Sequence, residues 1–469
     1  AGFDAAMERQ KAAARAAWKG SGASAEGEFW FDIAEREGAT EFTGYAATQG
    51  EGRVVALIVD DKEVQSADAG QEVSVLTNQT PFYGESGGQV GDVGHMSGDD
   101  VRLRITNTRK IAGLFVHEAT VETGVVRAGD ALEARVDHDQ RTAIRANHSA
   151  THLAHEALRR CLGDHVAQRG SLVSPDRLRF DFSHNKAMTP AEISTVEREV
   201  NGFVRQNTRV ETRILSIEDA QSLGARALFG EKYGDEVRVV AMGRADGSGI
   251  GAANDTYSLE LCGGTHVAQT GEIGLFHIVA ESASASGIRR IEALTGDAAL
   301  QQIETDGAAL ASISEVLRSR TDALPARVTS LLDERRALQN EVADLRRALA
   351  MAADGGGAAV QSINGIDFVG LVLEGVSGKD LRGLVDEHKT RIGAGAVLLI
   401  ADTGGKAAIA AGVTDGLTDR VSAVDMVRAA AEAMGGKGGG GRPDMAQGGG
   451  ADASRSAEAI AAVEAVLKG

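Results

Sequence analysis

Two short motifs, separated by 109 residues, constrain this chain more than any other feature: His148-Ser-Ala-Thr-His152 and Cys262-Gly-Gly-Thr-His266. Each carries two metal-competent side chains four residues apart. Residues 141–158 are a run of helix formers, so the first two imidazoles project from one helix face about one turn apart. The second pair flanks a Gly-Gly turn, where backbone without Cβ atoms can aim a thiolate and an imidazole at one ion. Three imidazoles and one thiolate suit a single tetrahedral zinc ion, held by His148, His152, Cys262 and His266. The fold must then carry an early helix and a late turn to one point. Each half alone has a plainer reading, as a helix face or a packed cysteine. Together they absorb four of the chain's 11 histidines and two cysteines. Cys161-Leu-Gly-Asp-His165 repeats the spacing, but Gly163 should end the helix there, and a cysteine near a helix end usually packs.

At 469 residues the chain exceeds one core and, at about 150 residues per domain, should hold roughly three. Its 49 Lys and Arg against 67 Asp and Glu leave a net charge of -18, which opposes indiscriminate nucleic-acid binding. A polynucleotide partner must therefore meet local basic groups, such as Arg141 and Arg145, Arg159 and Arg160, Arg177 and Arg179, Arg346 and Arg347, and Lys437 with Arg442. Two cysteines give no disulfide framework and point to a reducing, cytoplasmic compartment. No apolar run approaches the roughly 18 residues of a spanning helix, and the opening residues are charged rather than signal-like, so no membrane is expected. The start on Ala1, in mid-helix pattern, suggests a piece of something longer.

In chain order, residues 1–39 read as a helical tail of a preceding domain, with helices over 3–18 and 28–37. Residues 40–139 carry short alternating strands (54–59, 72–76, 101–105, 131–136) between Gly and Asp turns, which predicts a small β-barrel or sandwich. Within it, residues 80–89 read as a loop rich in small and polar residues, of the kind that turns a barrel corner or lines a site. Residues 140–298 alternate strand and helix around the metal motifs, with a strand at 177–182 and a helix at 190–206 whose N-cap is Thr189 and whose capping-box partner is Glu192. Gln168 opens a strand from which it could reach a ligand, or it is an exposed turn amide. Residues 299–354 lose all strands. Leu324, Val328, Leu331, Arg335, Leu338, Val342, Leu345 and Leu349 follow a heptad seam, predicting a coiled coil or helical hairpin. Residues 355–469 read as a small α/β unit, interrupted by a Gly-rich stretch at 435–450 that carries Lys437 and Arg442 and could cup a phosphate. The whole is a multidomain α+β chain.

These pieces resemble the alanyl-tRNA synthetase family from the end of its aminoacylation half to its C-terminus. The resemblance rests on residues 2–7, on residues 80–89 with Gly91 and Asp92, on His148-Ser-Ala-Thr-His-Leu153, on residues 168–173, on Cys262-Gly-Gly-Thr-His-Val267, and on the C-terminal glycines. It implies a proofreading hydrolase, because a pocket for alanine cannot exclude smaller glycine and excludes serine poorly. It implies zinc on His148, His152, Cys262 and His266, a pocket containing Thr80, Gln89 and Gln168, and catalytic roles for His148, His152 and Gln168. It further implies tRNA(Ala) as partner, gripped by the C-terminal unit and by Arg141, Arg145, Lys437 and Arg442, with a possible homodimer through the seam. No ATP site is expected in this stretch. A tRNA-binding, dimerising module with structural zinc is the alternative.

Overall fold

The structure is a computed structural model that describes residues 25–226, 236–244, 256–353 and 360–469. The helix expected over residues 3–18 lies outside them. The chain divides at residues 309 and 310 into two compact units.

The first unit opens with the helix Ala25–Glu37, which buries Trp30 and Ile33 against Ala56, Ile58, Leu76 and Val116 on one outer face of the expected barrel. Six antiparallel strands close that barrel in the order Gln49–Val59, Glu72–Thr77, Leu114–Thr123, Arg102–Ile111, Gly94–Ser97 and Ala131–Val136, the last pairing back onto the first. Alternation drives closure. In Ala131–Val136, Leu132, Ala134 and Val136 point inward beside Leu103, Ile105, Val73 and Val75, while the residues between them face water. Closure also leaves few unpaired backbone edges.

Asp137 caps the helix His138–Leu162 by accepting from the Gln140 amide. From Ile144 to Leu158 nearly every residue of this helix is buried. It lies beside an antiparallel sheet ordered Gln168–Val173, Leu178–Ser183, Ile288–Thr295, Phe276–Ala285, and beside the helix Pro190–Gln206, whose Thr189 and Glu192 form the expected capping box. A second antiparallel sheet, Glu211–Ser216, Glu236–Arg244 and Thr256–Leu261, delivers the chain to Cys262. Arg141 corrects an expectation. Its guanidinium is 1% exposed, paired with Asp92, and donates to the carbonyls of Gly44 (3.0 Å) and Pro81 (2.8 Å). A cation so enclosed and saturated pins the barrel to the helix and is not available to a tRNA phosphate.

Helices Gly296–Leu317 and Leu324–Ala353 follow. On the second, Leu338 and Leu345 of the seam are 59% and 61% exposed. The second unit ends in a six-stranded sheet ordered Gln361–Ile363, Ile366–Leu373, Gly395–Asp402, Ala407–Val413, Met445–Gly450, Gly439–Arg442, with one parallel pair. Along Gly395–Asp402, Val397, Leu399 and Ala401 join one core with the helix Leu381–Ile392, and Ala396, Leu398 and Ile400 join another with Ala423–Ala433 and Ser456–Lys468. Burial on both faces explains the uninterrupted apolar run. The glycine stretch is a second correction: its central part is an edge hairpin rather than a loop. A Cβ on Gly439 would sit 2.4 Å from the Gln447 carbonyl and from the Val427 side chain, so these glycines permit close helix-sheet approach. Lys437 and Arg442 remain exposed, and Arg442 forks onto Asp444 at 2.9 Å. Among the described residues no helix is long and apolar enough to cross a membrane.

Candidate metal centre

The helix His138–Leu162 stacks the imidazoles of His148 and His152 with centroids 5.2 Å apart. The strand Thr256–Leu261 ends immediately before Cys262, and three successive carbonyls of the following turn are held from outside. Arg238 Nη1 donates to Cys262 O and Gly264 O, both at 2.9 Å, and the Tyr45 hydroxyl donates to Gly263 O at 2.6 Å. Gly264 is required sterically, since a Cβ there would lie 2.1 Å from His148 Cε1. The clamped turn brings Cys262 Sγ to 3.4 Å from His148 Nε2 and 3.3 Å from His266 Nε2. One ligand atom from each of His148, His152, Cys262 and His266 lies within 4.8 Å of all the others.

These spacings fit zinc. Zn–N near 2.0 Å and Zn–S near 2.3 Å in a tetrahedron set nitrogen and sulfur about 3.5 Å apart. His152 Nε2 is buried without a hydrogen-bond partner, an uncommon state for a ring nitrogen unless a ligand is its partner. Each Nδ1, in turn, faces an oxygen: His148 to Gln89 Oε1 (2.7 Å), His152 to Glu260 Oε2 (2.5 Å) and His266 to Ser149 Oγ (3.2 Å). Donation from Nδ1 leaves each Nε2 lone pair free to bind a metal. Burial opposes charge throughout the cluster, but His148, His266 and His152 hold the Cys262 thiol well below its usual range. The Cys262 and Glu260 charges likewise override burial and take His152 up to about 10, whereas burial and the neighbouring His148 press His266 down to about 3.

The structure therefore brings together all four expected ligands and one expected pocket residue. Gln89 spends its amide in the cluster, accepting from Thr265 N and His148 and donating to Thr265 Oγ1. Thr80 is buried, with Oγ1 2.8 Å from His117 Nε2 and accepting from Phe82 N. Gln168 is half-buried opposite Phe182, at the other end of its strand from Val173, which bridges Gln89. Arg145 is half-buried and donates weakly to Gly44 O at 3.4 Å. The rival pair does not assemble: Cys161 contacts Glu192 O, and His165 bonds His184. Glu260, His155, Ser149, Tyr45 and Arg238 were not foreseen. Only the spacing His148, His152, His155 carried a signal, because it places a third histidine on the same helix face.

Residues 1–140 match the family described as tRNA synthetases class II (A), residues 237–292 the Threonyl and Alanyl tRNA synthetase second additional domain, and residues 365–469 the DHHA1 domain. The metal turn lies inside the second of these. Fold and site thus define a part of a class II aminoacyl-tRNA synthetase. The alanine–tRNA ligase of Cereibacter sphaeroides is 60% identical over 470 residues, covering 100% of this chain and 53% of that protein. That of Ruegeria pomeroyi is 59% identical over 476 residues with the same shares. The chain belongs to the alanine–tRNA ligase family and spans about half the length of the curated relatives it matches. The solved C-Ala domain from Aquifex aeolicus alanyl-tRNA synthetase is 30% identical, with a TM-score of 0.23, over 23% of this chain and 97% of that one.

Proposed function

We propose that the chain proofreads, hydrolysing serine or glycine wrongly esterified to tRNA(Ala) at the His148, His152, Cys262, His266 cluster, as part of an alanine–tRNA ligase. The observation that carries this reading is the convergence of all four donors beneath the polar barrel loop that runs from Thr80 to Gln89. The four residues would hold one zinc ion. With water in place of one of the four, zinc would supply Lewis-acid polarisation and lower the pKa of that water toward about 7.

The chain's own groups do the rest. Gln89 and Glu260 accept from Nδ1 of His148 and His152 and fix both rings in the tautomer that presents Nε2, while the Ser149 hydroxyl lies 3.2 Å from His266 Nδ1. Thr80 supports serine recognition. His117 Nδ1 donates to Val75 O at 2.8 Å, so its Nε2 accepts the Thr80 proton, and Thr80 Oγ1 keeps a lone pair for a serine hydroxyl. Alanine and glycine have no hydroxyl to place there. Gln168 is the remaining pocket candidate, half-buried at the end of its strand away from Gln89. Arg145, Lys437 and Arg442 supply phosphate contacts, and the stripe on Leu324–Ala353 offers a homodimer seam.

A second reading follows from the same donor count. Four protein ligands make a closed set, the pattern of structural zinc, and would suit a tRNA-binding and dimerising module without chemistry. Zinc content measured beside deacylation of Ser-tRNA(Ala) and Ala-tRNA(Ala) tests the proposal. Serine should be released and alanine spared, and equal rates would remove the proofreading reading. A Cys262→Ala variant that stays folded yet inactive supports chemistry, whereas loss of fold together with metal supports the structural role.

A further inference from the structure

Among the described residues four carboxylates sit buried in the first unit, and three of them face arginine: Asp92 meets Arg141, Glu156 meets Arg159, Arg160 and Arg226, and Asp181 meets Arg290. Glu260 differs. It is 2% exposed and lies between two imidazoles, with Oε2 2.5 Å from His152 Nδ1 and Oε1 2.7 Å from His155 Nδ1. A carboxylate accepts and cannot donate, so both histidines direct Nδ1–H at it. His155 is itself buried, one helical turn beyond His152, with its ring 5.1 Å from that of Phe180. An imidazole that carries a cation on its far nitrogen compensates a buried carboxylate far better than a neutral one. On His152 that far nitrogen, Nε2, is one of the buried side-chain atoms without a hydrogen-bond partner among the described residues, and it faces the cluster.

We infer that Glu260 and His155 form a positioning pair for the metal: Glu260 fixes the ring plane and tautomer of His152, and His155 fixes Glu260 by occupying its second oxygen. The inference rests on the reading that the cluster holds zinc. It assigns a role to a buried acid on one sheet and a buried histidine on the neighbouring helix, neither of which touches the ion. Loss of such an outer partner weakens metal affinity about 10- to 100-fold.

The test is zinc affinity of the 469-residue chain, read by competition with a chromophoric chelator, for wild type, Glu260→Gln, His155→Phe and the double variant. Glu260→Gln should weaken zinc binding at least about tenfold, within the range for outer partners. His155→Phe should weaken it less, and the double variant should be no weaker than Glu260→Gln, because both changes act through one carboxylate. Losses that multiply would mark two separate packing defects and overturn the inference, as would Glu260→Gln binding zinc as tightly as wild type. Should Glu260→Gln not fold, His155→Phe decides alone, with unchanged affinity overturning the pair. Wild type without zinc would bring down the metal reading and the inference together. Wild type with zinc and unaffected variants would bring down the inference only.

Discussion

Arg141 shows how much a residue's meaning depends on its enclosure. On the sequence it is one of two basic groups beside a histidine pair, and in the fold it is buried with Asp92 and two carbonyls as partners. Removing one member of such a pair strands the other charge, so Arg141→Met should cost about 3 to 5 kcal/mol in denaturant unfolding of the first unit, with Arg145→Met costing far less. His117 sets a pH dependence of the same barrel. Burial presses its folded pKa to about 4 from 6.5, so between those values the unfolded chain binds the extra proton. Stability from this group is therefore complete above pH 6.5 and lost as pH falls toward 4, by about 3 kcal/mol in all. Amide exchange of the barrel strands across that window should show this loss, and His117→Phe should flatten it.

At the scale of elements, the candidate metal-binding turn is specified by its second glycine. A Cβ on Gly264 would meet His148 Cε1 at 2.1 Å, whereas one on Gly263 would meet nothing within 4 Å. Gly264→Ala should thus displace an imidazole and lose most bound zinc with the fold intact, and Gly263→Ala should retain it; zinc analysis beside circular dichroism decides. Both motif halves were legible because helix period and a Gly-Gly turn are local signals. Glu260 was not. It sits on Thr256–Leu261, a strand whose buried residues come in adjacent pairs rather than alternately, so the sequence offers no parity from which to read an inward carboxylate. The glycine hairpin was misread for a related reason: residues without side chains carry no face, and their need for Gly arises from Val427 on the preceding helix and from the facing hairpin backbone. The continuous strands 396–401 and 407–413 were readable because burial on both faces writes itself into every residue.

Across the whole molecule, net charge and the proposed tRNA binding pull in opposite directions, and the distribution of cations decides how they could coexist. At -18 the chain repels a polyanion at long range. Many arginines that looked available are already paired: Arg159 and Arg160 with Glu156, Arg177 with Glu292, Arg179 with Asp181. Arg442 is paired as well, yet its Asp444 partnership is exposed and spans two residues, so a phosphate can compete for it at little cost. With so few phosphate contacts, tRNA affinity should fall only gently with salt, at roughly -0.9 in the log-log slope per contact. Lys437→Ala and Arg442→Ala should each flatten that slope by about one and weaken all tRNA sequences alike. Zinc content should not change, because both residues lie in the second unit and the cluster in the first. A slope unchanged by either variant would move the tRNA grip elsewhere on the surface.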